Sequence, residues 1–424
     1  MVALTLRVGI IIATRHGYVP VADSLDYNRI ARSISSGHGF GNTVLAPARG
    51  PSAFRPPLYP ALLAAVYFVV GYHIVAARLF TAMVSTAFVP VLGALGWQLG
   101  GRRVGLVTLY LVAIYPPFIM AGYGLQYEVL YLTLVTLALL AALKWRDHPQ
   151  RSWLLAAAGV CTGLTVLCRE TGVLALLPIW ALILQRSKST SWRLVLGRGL
   201  GVTACAAIVV IPWTIRNAVT MHQFIPVSDS AGWAIGGQYN PTVASDNLDL
   251  WVIPDLDPST VRRVDALGPS PTEPQLIGAV QAEGVSYIEA HPAFPLEVAW
   301  DNTVRMFCLR GFYDATIWAP YAPWPAWLLK LSALGFWIVG PLGALGLLTR
   351  YGRQVPRAIW LFPVFLYLVL AFTVADIEYR VELEPFFLLS AAMLLVTGYE
   401  RWAGRAYEPP AFTAVRDEAD PIHQ

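Results

Sequence analysis

Two aspartates stand within one helical turn of each other in the stretch VADSLDYNRIA: Asp23 and Asp26, followed by Tyr27 and Arg29. Carboxylates at that spacing can take a proton from a hydroxyl, pair with a cation or cap a helix. Ionisable residues recur at short connections further on. Arg55 stands before Pro56 and Pro57, Arg78 and Glu128 at the starts of apolar segments, and CRETG carries Arg169 and Glu170. PWTIRN adds Arg216 and Asn217, and ADIEYRVELEP adds Asp376, Glu378, Arg380 and Glu382. Guanidinium forks match phosphate oxygens and carboxylates accept protons. A cavity gathering these residues would suit a phosphate-bearing ligand and a general base. Each group also has a structural reading. Asp23 reads as the cap of a helix beginning near Ser24, Asp26 as a partner of Arg29, and Glu128 as a partner of Arg169 or Arg380. His38 in GHGFGN reads first as part of a flexible turn.

These charges belong to an apolar chain. The 424 residues are 56% hydrophobic and 13% charged, with mean hydropathy +0.55. A soluble protein carries about 25% charged residues, so the composition indicates an integral membrane protein. A formal charge of +4 gives no reason to expect nucleic acid. The four cysteines form no CxxC, so neither a thiol-bound metal nor a disulfide framework is expected.

Apolar segments near 73–99, 103–122, 126–145, 152–168, 171–186, 199–215, 326–348, 357–375 and 381–400 approach the ~20 residues that cross a bilayer. The segment 1–15, which carries Arg7, reads as a first span cut short. Loop charges orient them. Arg102, Arg103, Lys144, Arg146, Arg151, Arg186, Lys188, Arg193, Arg198, Arg350, Arg353 and Arg357 fall on alternate connections, with Asp147 the single acid among them. The stretch 216–325 instead holds five arginines against twelve acids. The basic loops therefore read as cytoplasmic and the acidic stretch as extracytoplasmic. Segment 56–71 reads as a juxtamembrane or re-entrant outer helix, because a crossing there would flip Arg102 and Arg103 outside. The expected fold is all-α and polytopic, with about ten transmembrane helices plus outer juxtamembrane helices.

The division that follows is an N-terminal transmembrane module 1–215 with a first outer loop 17–72, then an extracytoplasmic region 216–325. C-terminal transmembrane helices 326–400 and a disordered cytoplasmic tail 401–424 complete it. Within 216–325, GGQYNPTVASDNLDLWVIPDLDPSTVRRVDALGPSPTEP reads as loop, a candidate flap over the mouth, and the part from Pro274 on as helix. The charged pairs then collect at the outer ends of the spans, where intramembrane charges should face a polar cavity.

ADSLDYNRIARSISSGHGF, FRPPLYPALLAAVYFVVG, YPPFIMAGYGLQYEVL, PWTIRN and EYRVELEPFFLLSAA together resemble membrane glycosyltransferases of the GT-C fold. The nearest group is the family-39-like one with the protein O-mannosyltransferases and aminoarabinose transferases. The resemblance covers most of 1–400 and is weak over 230–320. It implies a polyprenyl-phosphate sugar as donor and inversion at the anomeric carbon, with a glycan, lipid or protein as acceptor. It implies an active site on the extracytoplasmic side of the plasma membrane. It makes Asp23, four residues before Tyr27, the expected base. Ser24 stands where relatives often have Glu, so Asp26 shares that expectation. It places Arg55 at the donor phosphate, with Arg216 and Arg380 as further phosphate arginines. Tyr27, Glu128, Arg169, Glu170 and Glu378 fall in supporting positions. A divalent ion between carboxylates and phosphate is compatible with these residues, but none of them requires it, and no metal ligand is assigned. The rival reading is a flippase of lipid-linked sugars, which would be expected to show internal repeats and midplane broken helices. The sequence shows no repeat, and its charges cluster on one face.

Overall fold

The computed structural model describes residues 1–43, 50–185, 191–245, 257–317, 319 and 323–407. Among them the named elements are all helices, with one isolated bridge between Gly41 and Pro51. The chain runs through α1 (Val2–Ala13), α2 (Ala22–Ser35), α3 (Leu58–Val70), α4 (Ile74–Ile114), α5 (Pro116–Ala121), α6 (Glu128–Asp147) and α7 (Trp153–Cys168). A 3₁₀ segment, Glu170–Ala175, leads into α8 (Leu176–Gln185), followed by α9 (Trp192–Met221). A second set of helices follows: α10 (Ser230–Gln238), α11 (Pro241–Ser245), α12 (Pro258–Asp265), α13 (Glu273–Ala290), α14 (Phe294–Met306) and α15 (Phe312–Thr316). The chain returns through α16 (Ala326–Gly346), α17 (Arg350–Gln354), the 3₁₀ segment Arg357–Trp360, α18 (Leu361–Ala371), α19 (Ile377–Arg380) and α20 (Glu384–Trp402).

Each of the ten expected crossing segments is helical. By length and apolar character α4, α6, α9 and α16 qualify as spans, while α1, α7, 170–185 and 357–371 are shorter apolar helices. α4 is two antiparallel arms, not one rod. Gly101 has φ 79°, a conformation that reverses the chain at little cost only in glycine. Close helix approach is bought with small residues elsewhere. A Cβ on Gly159 would lie 2.5 Å from the Val202 carbonyl and one on Gly163 2.6 Å from that of Ala206, so α7 and α9 pack backbone to backbone.

α3 lies on α2 and on the start of α4, where the Tyr59 and Thr81 hydroxyls hydrogen-bond. The end of the bundle with the basic connections is pinned by Glu400. Its fully buried carboxylate pairs with Arg103 at 2.7 Å and Arg350 at 2.5 Å, and accepts from Tyr351. Two expectations are corrected. The region expected as loop, 236–274, contains the end of α10 and the helices α11 and α12. Asp257 caps the last of these by accepting from the Thr260 amide, with Pro258 at the first position. α10 packs closely on α13, so its first part is a helical layer and not an open flap. Its residues 246–256 lie outside the described set. The tail is ordered as far as 407, with Tyr407 packed on Tyr351 and under the Arg350 guanidinium. Residues 408–424, Arg186 and Lys188 also lie outside the described set.

Candidate functional site

The first loop presents one fork. α2 begins at Val21, where the Ser24 hydroxyl accepts from the Val21 amide at 2.9 Å and donates to its carbonyl. Ser24 therefore does the capping that Asp23 was open to, and Asp23 is left for another partner. That partner is Arg55. Its Nη1 and Nη2 donate to both oxygens of Asp23, at 3.1 and 2.5 Å, while Nε and Nη2 donate to Asp26 at 3.1 and 3.0 Å. The two acids are not equivalent. The Asp26 side chain is 1% exposed and that of Asp23 is 29% exposed. Asp26 anchors the guanidinium from behind, and Asp23 holds it from the accessible side.

A second charged group faces the first across two tyrosines. Tyr27 and Tyr127 meet edge to face at 6.0 Å, with Arg55 near the Tyr27 ring and Arg169 near the Tyr127 ring. Arg169 donates to Glu382 at 2.5 Å and lies 4.6 Å over the Tyr379 ring. The Tyr127 hydroxyl donates to Glu382 as well and is contacted by Arg169. Glu128, at the first turn of α6, is buried, and its Oε2 has no hydrogen-bond partner among the described residues. The connection before α20 adds Asp376, whose carboxylate caps α19 through the Glu378 amide at 2.8 Å, and Glu378 itself. Burial first, then the carboxylates of Asp376, Asp23 and Glu128, hold Glu378 well above the usual carboxylate range. Burial and the neighbouring carboxylates both favour the protonated form of Glu378 over its charged form.

The other residues expected here go elsewhere. Arg216 donates to the carbonyls of Ser52 at 2.6 Å and Phe40 at 2.9 Å and stacks on Trp213, so it shapes the first loop and does not point a free fork at the mouth. Arg380 is fully buried. It pairs with Glu384 at 2.5 Å and donates to Ser332 and the Met306 carbonyl, tying α14, α16 and α20 together. Glu170 accepts from Ser228. Arg78 is buried between the rings of Tyr18 and Tyr123 and donates to the Tyr123 carbonyl.

One contact between the loop and the second helical set has no counterpart in the sequence reading. Glu273, at the start of α13, accepts from the Ser52 hydroxyl and the Ala53 amide, each at 2.6 Å, two residues before Arg55. The Asp229 amide donates to the Ala53 carbonyl. Among the described residues no three His, Cys, Asp or Glu side chains are grouped to hold a metal ion.

Residues 54–215, fewer than half of the chain, match the family of dolichyl-phosphate-mannose-protein mannosyltransferases. A comparison with curated proteins finds no match. Among solved structures, the oligosaccharyltransferase of Archaeoglobus fulgidus, in complex with Zn and sulfate, superposes with TM-score 0.55 at 13% identity, covering 99% of this chain and 51% of that one. The same protein, AglB, with an inhibitory peptide and a dolichol-phosphate, gives TM-score 0.51 at 13% identity, over 98% and 53%. ArnT from Cupriavidus metallidurans bound to undecaprenyl phosphate gives 0.43 at 14% identity, over 95% and 77%. The chain spans about half the length of the oligosaccharyltransferase. The fold is that of the GT-C membrane glycosyltransferases, an all-α polytopic membrane fold.

Proposed function

We propose that this chain is an inverting glycosyltransferase. It moves a sugar from a polyprenyl-phosphate donor to an acceptor hydroxyl, or to an amine-bearing glycan, lipid or protein, at the outer face of the plasma membrane. The observation that carries this reading is the fork at Arg55: a guanidinium anchored by a buried carboxylate and shared with an accessible one. When a donor phosphate arrives it competes with Asp23 for Nη1 and Nη2 of Arg55. Asp26 keeps the guanidinium in place, and Asp23 is released as a base. The acceptor oxygen then attacks the anomeric carbon from the face opposite the phosphate. The new C–O bond forms as the sugar–phosphate C–O bond breaks. The acceptor proton passes to Asp23, and the lipid leaves as a phosphate whose charge Arg55 stabilises. Arg169, partly exposed across the two tyrosines, replaces Arg216 and Arg380 as the second phosphate cation. Glu378, on the same connection as Glu382, faces the sugar.

The donor's chain also has a place to lie. An apolar cavity of about 240 Å³ opens between α16, α18 and α20, lined by Phe307, Trp360, Tyr367, Leu383, Phe386 and Phe387 among others. It begins at Leu383, next to the Arg169 partner Glu382. The test is sugar transfer by membranes given a panel of radiolabelled polyprenyl-phosphate sugars. Asp23→Asn should lower turnover by about 10²- to 10⁴-fold, the usual contribution of a general base. Asp26→Asn should cost less in turnover and more in donor KM. Full transfer by Asp23→Asn would overturn the mechanism. Lipid-linked sugar crossing the bilayer with no transfer from any donor would identify a flippase instead.

A further inference from the structure

A second polar cavity lies at the far end of the bundle. Glu128 opens α6 beside the Arg55 fork and Asp147 closes it, so twenty residues of helix separate the two places. At 1.5 Å per residue that is ~30 Å, the thickness of a bilayer's hydrocarbon core. There the α6–α7 connection and the end of the first arm of α4 enclose about 320 Å³, lined by Gln98, Lys144, Asp147, His148, Arg151 and Trp153 among others. That volume is at the lower end for small-ligand pockets. None of these residues touches the candidate site.

The cavity is chemically one-sided. Asp147 accepts from the Gln98 amide. Lys144 and Arg151 are exposed, and among the described residues neither side chain has an ion-pair or hydrogen-bond partner. His148 is exposed beside them, and Trp153 presents its ring with 63% exposure. Two unpaired cations at hydrogen-bonding reach of one cavity suit a phosphate, the arginine by its fork and the lysine as a point charge. An exposed tryptophan at the end of a membrane helix is an interfacial anchor, with its ring at headgroup level. Basic pockets between membrane helices on the positively charged face are where anionic headgroups bind.

We propose that this cavity binds the phosphate of an anionic membrane lipid, on the membrane face opposite the candidate active site. The recognised chemistry is a phosphate anion, whose source is either a lipid headgroup or soluble phosphate; Trp153 favours the lipid. The full chain, purified in a neutral detergent, is titrated with dioctanoyl-phosphatidylglycerol, with dioctanoylglycerol, and with inorganic phosphate. Binding is read by the shift in thermal midpoint and by Trp fluorescence. The wild type is compared with Lys144→Gln/Arg151→Gln, with the charge-keeping Lys144→Arg/Arg151→Lys, and with Arg353→Gln, an exposed cation at the same end but outside the cavity. The phosphatidylglycerol affinity should fall about 10- to 30-fold in the double glutamine variant, as expected for two surface cations. It should be largely kept in the other two, and dioctanoylglycerol should not bind. Saturation by inorganic phosphate over the same concentration range, lost in the double glutamine variant, upholds the phosphate site and makes soluble phosphate its occupant. Equal affinity in the double glutamine variant overturns the proposal, as does an equal loss in Arg353→Gln or equal binding of dioctanoylglycerol. The charge-keeping variant keeps the test decisive if glutamines at both positions disturb folding.

Discussion

At the scale of the residue, the division of labour between Asp23 and Asp26 rests on burial. Both touch one guanidinium, but the 1% exposed carboxylate cannot reach an acceptor and the 29% exposed one can. The same geometry makes arginine irreplaceable at 55. It uses Nε, Nη1 and Nη2 at once, and a lysine offers one compact charge that cannot bridge two carboxylates while presenting an edge to phosphate. Arg55→Lys should therefore lower transfer by about 10²-fold or more, the scale seen when one transition-state donor is removed. The protein should stay folded, since the positive charge between the acids remains. Near-normal turnover in Arg55→Lys, measured beside an unchanged melting profile, would remove Arg55 from the phosphate. Some of this was legible in sequence: Asp23, Arg55, Glu128, Arg169 and Glu378 do come together. Arg380 was misplaced although its signal was present, because Glu384 stands four residues on, the spacing of a helical ion pair. The Arg169 partner is 213 residues away, and no local pattern announces such a pair.

At the scale of the element, hydropathy located the ten helical segments because a span must satisfy its own backbone and therefore reads as one long apolar run. The short helices of the second set were harder. Their apolar faces are narrow, and α10 carries glycines that disfavour helix on their own but let it lie close against Ile277 and Val280 of α13. Small residues carry the membrane packing too. Gly163→Leu would drive a side chain into the Ala206 carbonyl, where even a Cβ falls at 2.6 Å, so α7 and α9 would have to separate. Overpacking of this kind typically costs about 1–3 kcal/mol. The expected result is a thermal midpoint several degrees lower in detergent, with the same variant at Gly197, where no atom lies within 4 Å of a Cβ, near wild type. Equal behaviour of the two variants would show that the α7–α9 approach contributes nothing measurable to stability.

At the scale of the whole molecule, the second helical set is fastened to the first loop at Ser52–Ala53, immediately before Arg55, through Glu273 and Asp229. This junction is acidic and poorly solvated. Both carboxylate oxygens of Asp229 are buried without a hydrogen-bond partner among the described residues. Burial first, then the Glu273 carboxylate, push Asp229 up to about 7. Burial also raises Glu273, against the Ser52 and Ala53 hydrogen bonds and the Arg216 charge. An unfolded aspartate titrates near ~3.9. Between about pH 4 and pH 7 the folded state therefore binds the more protons, and stability must fall as pH rises through that window. The fastening is strongest when Asp229 carries its proton and weakens as it ionises beside Glu273. The thermal midpoint of the purified chain should be higher near pH 5 than near pH 8. Asp229→Asn, which keeps the shape and removes the charge, should flatten that slope by raising the midpoint at the alkaline end. A slope unchanged in Asp229→Asn but lost in Glu273→Gln would move the titration to the other half of the junction. No slope in the wild type would mean that the loop and the second helical set are joined without the two acids opposing each other.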